Sequence, residues 1–226
     1  MVFNKRMVLF KDRTVAGKRL AEELSVYANR PDVVVLALPR GGVPVAYEVA
    51  KALNAPLDVF LVRKLGVPGQ EELAMGAIAS GGVRVLNRGV VRSNQLFEAA
   101  IHRVTVREQR KLEQAEHLYR DDRPMPEVKD KTVLLIDDGM ATGATLRAAV
   151  TALQQQHPAH IVVAVPVAPA DVCQDLGTMV DTIVCAETPN PFDSVGLWYD
   201  NFSQVSDETV RELLQRAEIH TSDSNS

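Results

Sequence analysis

The sequence predicts an α/β protein, a mostly parallel sheet flanked by helices, and three observations carry that prediction. Five short apolar runs rich in β-branched residues have the composition of strands covered on both faces. Segments with one apolar stripe at helical spacing alternate with them. Two adjacent acids, Asp137-Asp138, stand at the exit of the third run, and ligands of open α/β sheets bind at strand exits.

The first run is Val33 to Leu38, and Pro44 then suits the first turn of a helix with Val45, Val49 and Leu53 on one face. The second is Leu57 to Val62. Residues 92–119 lack Gly and Pro and place Phe97, Ile101, Val104, Leu112, Ala115 and Tyr119 at helical spacing. One helix of roughly 40 Å is expected there at about 1.5 Å per residue. Its other faces carry both charges, as a solvated helix or a subunit interface would. Pro124 and Pro126 mark the connector to the third run, Val133 to Ile136. A helix over 142–156 follows, with Leu146, Val150 and Leu153 on one side, then strands over 160–167 and 180–185. Such alternation implies right-handed crossovers.

Composition narrows the function. Of 226 residues, 46% are apolar and 24% charged, ordinary values for a chain with a real core. The net charge of −4 gives no basic field, so no nucleic-acid partner is expected. No apolar stretch approaches the roughly 20 residues that cross a bilayer, so no membrane partner is expected. Residues 1–10 lack a signal-peptide run. Cys173 and Cys185 give neither a disulfide framework nor a metal-ligand pattern. A reducing, cytoplasmic setting is the expectation.

The chemistry is written in Val133 to Thr145. A buried strand delivers Asp137 and Asp138, and a small-residue loop of Gly139, Met140, Ala141, Thr142, Gly143, Ala144 and Thr145 runs into a helix. Loop amides, threonine hydroxyls and a helix N-terminus make an anion cradle. The acids suit a ribose diol and can support Mg2+. This stretch resembles the signature of the type I phosphoribosyltransferases: four apolar residues, two acids and a Thr-Gly-x-Thr loop. Response-regulator receivers also place adjacent acids after a strand, but they lack Thr142 to Thr145.

The resemblance covers residues 30–90 and 130–202 and implies a Rossmann-like core with a small C-terminal hood. Residues 1–220 would form one domain, with 92–119 as an inserted helix, 187–205 as the hood and 221–226 as a frayed tail. It implies 5-phosphoribosyl 1-pyrophosphate (PRPP) as donor, Mg2+ as cofactor and a small-molecule acceptor, with pyrophosphate released. Asp137 and Asp138 would hold the ribose, and the metal directly or through water. Residues 139–145 would hold the 5-phosphate. Arg40, Gly41 and Gly42, in a strand–Gly-Gly–Pro–helix turn, would form the pyrophosphate loop. Arg63 and Lys64 would join them as catalytic residues, Lys64 as a proton donor to the leaving group. Residues 65–73, with Gly66, Pro68 and Gly69, have the composition of a mobile cover. Phe192, Val195 and Trp198 would make the base pocket. Ala141 departs from the 6-oxopurine transferases, which usually carry Asp there, so the base stays open. A homo-oligomer, a dimer by preference, is expected. A non-catalytic regulator binding PRPP or a nucleotide, and a hydrolase using water as acceptor, are the alternatives.

Overall fold

Every residue of β1 (Val33–Ala37) and β6 (Thr132–Ile136) is buried, and the two strands pair in parallel at the heart of a five-stranded sheet. In this computed structural model, which describes residues 8–121 and 123–223, the sheet order is β2-β1-β6-β7-β8. Its other strands are β2 (Leu57–Val59), β7 (His160–Val167) and β8 (Thr182–Glu187), all parallel.

Strand period sorts the core into two layers. Val33, Val35, Ala37, Leu134 and Ile136 face one side, where α1 (Arg13–Glu23), α2 (Gly42–Leu53), α4 (Glu98–Arg120) and α7 (Asp207–Asp223) supply the cover. Val34, Leu36, Val133 and Leu135 face the other, under α5 (Ala144–Gln154) and α6 (Ala170–Gly177). Near-continuous apolar strands are the consequence of this double cover. Leu134 is fully enclosed, and its truncation to Ala would cost about 2–5 kcal/mol.

The second apolar run does not continue as one strand. After β2, Phe60 still donates to the Ala37 carbonyl at 2.8 Å, and the chain then builds a separate antiparallel sheet. Its strands are β3 (Val62–Val67), β4 (Gln70–Ala79) and β5 (Val83–Leu86). The segment expected as a loop cover is thus the tip of a β3–β4 hairpin. Pro68-Gly69 makes its turn, with Gly69 at φ 78°, the conformation that a type II turn requires after Pro.

The expected helix over 92–119 is also divided. A short α3 (Arg88–Ser93) comes first, capped by the Asn87 side chain, which accepts from the Val90 amide. Asn94 then folds its amide back onto the Val90 carbonyl and Gln95 turns to positive φ, so α4 begins only at Glu98. Phe97 is therefore outside the buried stripe and 80% exposed. Ile101, Val104, Leu112 and Tyr119 are buried as the spacing implied, with Glu108 among them. Helix α7 extends to Asp223, three residues into the stretch expected to fray; residues 224–226 lie outside those described.

A further correction concerns the cysteines. Cys173 on α6 and Cys185 on β8 are joined in a disulfide, which removes the argument for a reducing compartment. No helix among the described residues is long and apolar enough to cross a membrane.

Candidate active site

The carboxyl ends of β1 and β6 bring two loops together. The Leu38 amide donates to the Ile136 carbonyl at 2.9 Å, and the Gly42 amide returns to the Leu38 carbonyl at 3.1 Å. The Pro39–Arg40 peptide between them is cis. Glycine is required next: a Cβ at Gly41 would lie 2.0 Å from Asp138 Oδ2, and one at Gly42 would lie 2.8 Å from the Ile136 carbonyl oxygen.

The acid pair is enclosed. Asp137 Oδ1 accepts from the Asp138 amide at 2.8 Å. Burial, reinforced by the neighbouring Asp138 charge, drives the Asp137 carboxyl well above its ordinary pKa. Burial also raises Asp138, and Arg13 opposes it. Arg13 Nε donates to Asp138 Oδ2 at 2.8 Å, its Nη1 donates to the Ser203 carbonyl at 2.8 Å, and its guanidinium lies 3.9 Å from the Phe202 ring centroid. The Tyr199 hydroxyl donates to the Asp138 carbonyl. Two carboxylates beside a phosphate cradle fit Mg2+, which keeps waters and takes one or two carboxylates plus substrate oxygens.

The loop after the acids is pinned at two points and open elsewhere. Met140 is buried and donates its amide to the Val167 carbonyl at 2.9 Å. Gly143 is buried at φ 72° and precedes the first turn of α5. Ala141, Thr142, Ala144 and Thr145 stay exposed around the N-terminus of α5, the kind of position that suits an anion.

The basic residues are brought near but not left bare. Arg40 Nη1 lies 3.8 Å from Asp207 Oδ2, and the Tyr119 hydroxyl donates to the other oxygen of Asp207. Arg63 and Lys64, neighbours on β3, leave the strand on opposite faces. Arg63 Nε donates to Glu108 on α4 at 3.0 Å, and Lys64 Nζ donates to Glu72 Oε2 across the hairpin at 3.2 Å. Glu108 also takes Arg107 and Lys111. Burial pushes the Glu108 carboxyl up, and the three cations outweigh it, leaving the pKa below its ordinary value. A cavity of about 160 Å³ joins Pro39, Leu61, Arg63, Tyr119 and Thr145. Arg63 thus borders this cavity, and Lys64 is turned away towards Glu72.

A second cleft, of about 560 Å³, is lined by Ala141, Asp171, Thr188, Asn190 and Phe192. Of the three aromatic-segment residues, only Phe192 lines it. Trp198 is buried behind, its ring 6.0 Å from Phe192 and packed with Phe10, Ala16, Val167 and Tyr199. Val195 presses on the loop, 2.4 Å from where a Gly139 Cβ would stand. Sequence reasoning missed Arg13, Tyr199, Glu108 and Asp207. The N-cap signal of Asp12 before Arg13 marks α1, but nothing local marks Arg13 as a neighbour of the acids.

An anion-cradling α/β domain is the class that this arrangement defines. Within it, the chain belongs to the phosphoribosyl transferase domain family, matched over residues 11–175. A Mycobacterium tuberculosis H37Rv protein, Rv0571c, whose name assigns it only broadly to the phosphoribosyl transferases, is 46% identical over 211 residues, 93% of this chain. The same alignment takes up 47% of that protein, so the chain spans about half the length of the curated relatives it matches. The crystal structure of TT1426 from Thermus thermophilus is 40% identical, with a TM-score of 0.82 over 92% of this chain and 98% of that one.

Proposed function

We propose that the chain binds PRPP and transfers its 5-phosphoribosyl group to a nitrogen nucleophile, a nucleobase by preference, with release of pyrophosphate. The observation that carries this reading is the acid pair Asp137-Asp138 at the exit of β6, followed by the exposed residues Ala141, Thr142, Ala144 and Thr145 whose two ends border separate clefts. One cleft borders Pro39, Arg63 and Thr145, and the other borders Ala141 and Phe192.

In this reading the exposed amides and hydroxyls of 141–145 take the 5-phosphate, and Asp137 and Asp138 take the ribose hydroxyls. The backbone of 40–42, with Arg40 and Arg63, receives the pyrophosphate. Lys64 exchanges Glu72 for the leaving group when the hairpin tip closes. Phe192 offers a ring face to the acceptor base, and Trp198 backs it. Mg2+, when bound by Asp137 and Asp138 directly or through water, would offset charge developing on the pyrophosphate. The anomeric carbon gains its bond to the acceptor nitrogen as its bond to the pyrophosphate oxygen breaks. The protein's own contribution is orientation and electrostatic stabilisation of a loose transition state.

Incubation with PRPP, Mg2+ and a panel of purines and pyrimidines tests the reading. Pyrophosphate and a nucleotide should appear together with at least one base. PRPP binding without product under any base would replace the enzyme by a donor-binding regulator. Pyrophosphate released equally in water would make it a hydrolase.

A further inference from the structure

We infer that Arg13 is a positioning residue that locks Asp138 to the hood, so that the grip on the ribose and the seating of the acceptor cleft are one coupled event. The inference rests on the PRPP reading above and adds a residue that no local signal in the chain singles out.

The geometry has three parts. First, Arg13 takes only Oδ2 of Asp138, and Gly41 closes over that same oxygen. The carboxylate is therefore held in rotation through its Oδ2, and in the PRPP reading it meets the ribose in that orientation. Second, the same guanidinium holds the Ser203 carbonyl and stacks on Phe202, both beyond the 3-10 turn Val195–Trp198. A planar fork can make these contacts together, whereas an ammonium cannot. Third, the residues just before Arg13 strap the hood. The Leu9 and Phe10 amides both donate to the Trp198 carbonyl at 3.0 Å. The Asp200 and Asn201 amides donate to the Phe10 and Lys11 carbonyls at 2.9 Å. Trp198 in turn backs Phe192 at the acceptor cleft.

Arg13 is not needed to hold α1 in place. That helix is anchored by Ala16 and Leu20, both fully buried, and is capped by Asp12. What the guanidinium adds is a link from the hood to the Asp138 carboxylate itself, beside the Tyr199 hydroxyl's bond to the Asp138 carbonyl.

The test is calorimetric binding of PRPP with Mg2+ to the parent chain, Arg13→Ala, Arg13→Lys, Asp138→Asn and the Arg13→Ala/Asp138→Asn double variant. Thermal melts without ligand confirm that each is folded. Arg13→Ala and Asp138→Asn should each weaken binding by about tenfold or more, the loss of a charge-assisted contact. Arg13→Lys should fall between parent and Ala. The double variant should bind within about twofold of the weaker single, because both changes break one link. Losses that multiply in the double variant, or an unchanged affinity in Arg13→Ala, would overturn the role. If Arg13→Ala fails to fold, Arg13→Lys and Phe202→Leu carry the test. Phe202→Leu should weaken PRPP several-fold although the ring lies outside both clefts, and parent-like binding by both would overturn the inference. A flat titration of the parent chain would instead sink the PRPP reading, and the proposed role of Arg13 with it.

Discussion

The Asp138 carboxylate occupies the space that a side chain at residue 41 would need, with Oδ2 2.0 Å from the ideal Cβ position of Gly41. A methyl there must displace the acid or the loop. Gly41→Ala should therefore weaken PRPP binding by about tenfold or more, since it disturbs a charge-assisted contact. Calorimetry on the folded variant checks this, and parent-like affinity would mean that Asp138 swings aside without consequence.

Glu108 is nearly buried, with 8% of its side chain exposed, and serves three cations that are 37–56% exposed. Breaking such a cluster inside a core costs about 3–5 kcal/mol, and the solvent around the partners discounts this to about 1–2 kcal/mol. Glu108→Gln should lower Tm by about 2–8 °C at neutral pH, at about 2–4 °C per kcal/mol for a chain of this size. The folded carboxyl titrates below its ordinary value of 4.5. Its contribution is thus fully present above that value and is lost as pH falls through the folded pKa. The gap between parent and variant melts should narrow below about pH 4.5. A gap that widens in acid would contradict the assignment.

Lys64 is paired with Glu72, and in the PRPP reading its value should appear late, as charge develops on the leaving group. Lys64→Ala should slow single-turnover chemistry about 30-fold more than it weakens PRPP binding, a difference of about 2 kcal/mol. Equal losses in rate and affinity would reduce Lys64 to a binding residue.

The Cys173–Cys185 bond closes a short loop between α6 and β8, with a sequence separation of 12. A loop of that length is worth up to about 3 kcal/mol in the chain-entropy account. Reductant should lower Tm, by at most about 6–12 °C. Two reactive thiols in the untreated protein, with identical melts with and without reductant, would remove the bond from the native state.

Much of the site was legible because its signals are local. β1, α2 and β6 each announce themselves by period or by a run of β-branched residues. Asp137-Asp138 and the loop through Thr145 lie in one contiguous stretch between β6 and α5, at the carboxyl end of the sheet. What escaped notice depends on distant parts of the chain. Arg13 meets Asp138 across 125 residues. In the hairpin, Glu71, Glu72 and two glycines dilute the alternation that would mark β3 and β4. At 94–97 the apolar period runs straight through a helix break made by Asn94 and Gln95. The disulfide depends on α6 lying over β8, with Cα atoms 6.7 Å apart, and a pair of cysteines carries no spacing rule for that.

The three cations expected to meet pyrophosphate each face a carboxylate from a different element: Arg40 with Asp207 on α7, Arg63 with Glu108 on α4, Lys64 with Glu72 on β4. Arg40 and Lys64 are thus paired one to one, whereas Arg63 shares Glu108 with Arg107 and Lys111. In the PRPP reading, pyrophosphate competes with these three carboxylates for their cations. Salt screens an open electrostatic funnel and slows capture there. On that reading added salt loosens the pairs as well as shielding the visitor, and the rate of capture should fall less steeply with ionic strength than at an open funnel.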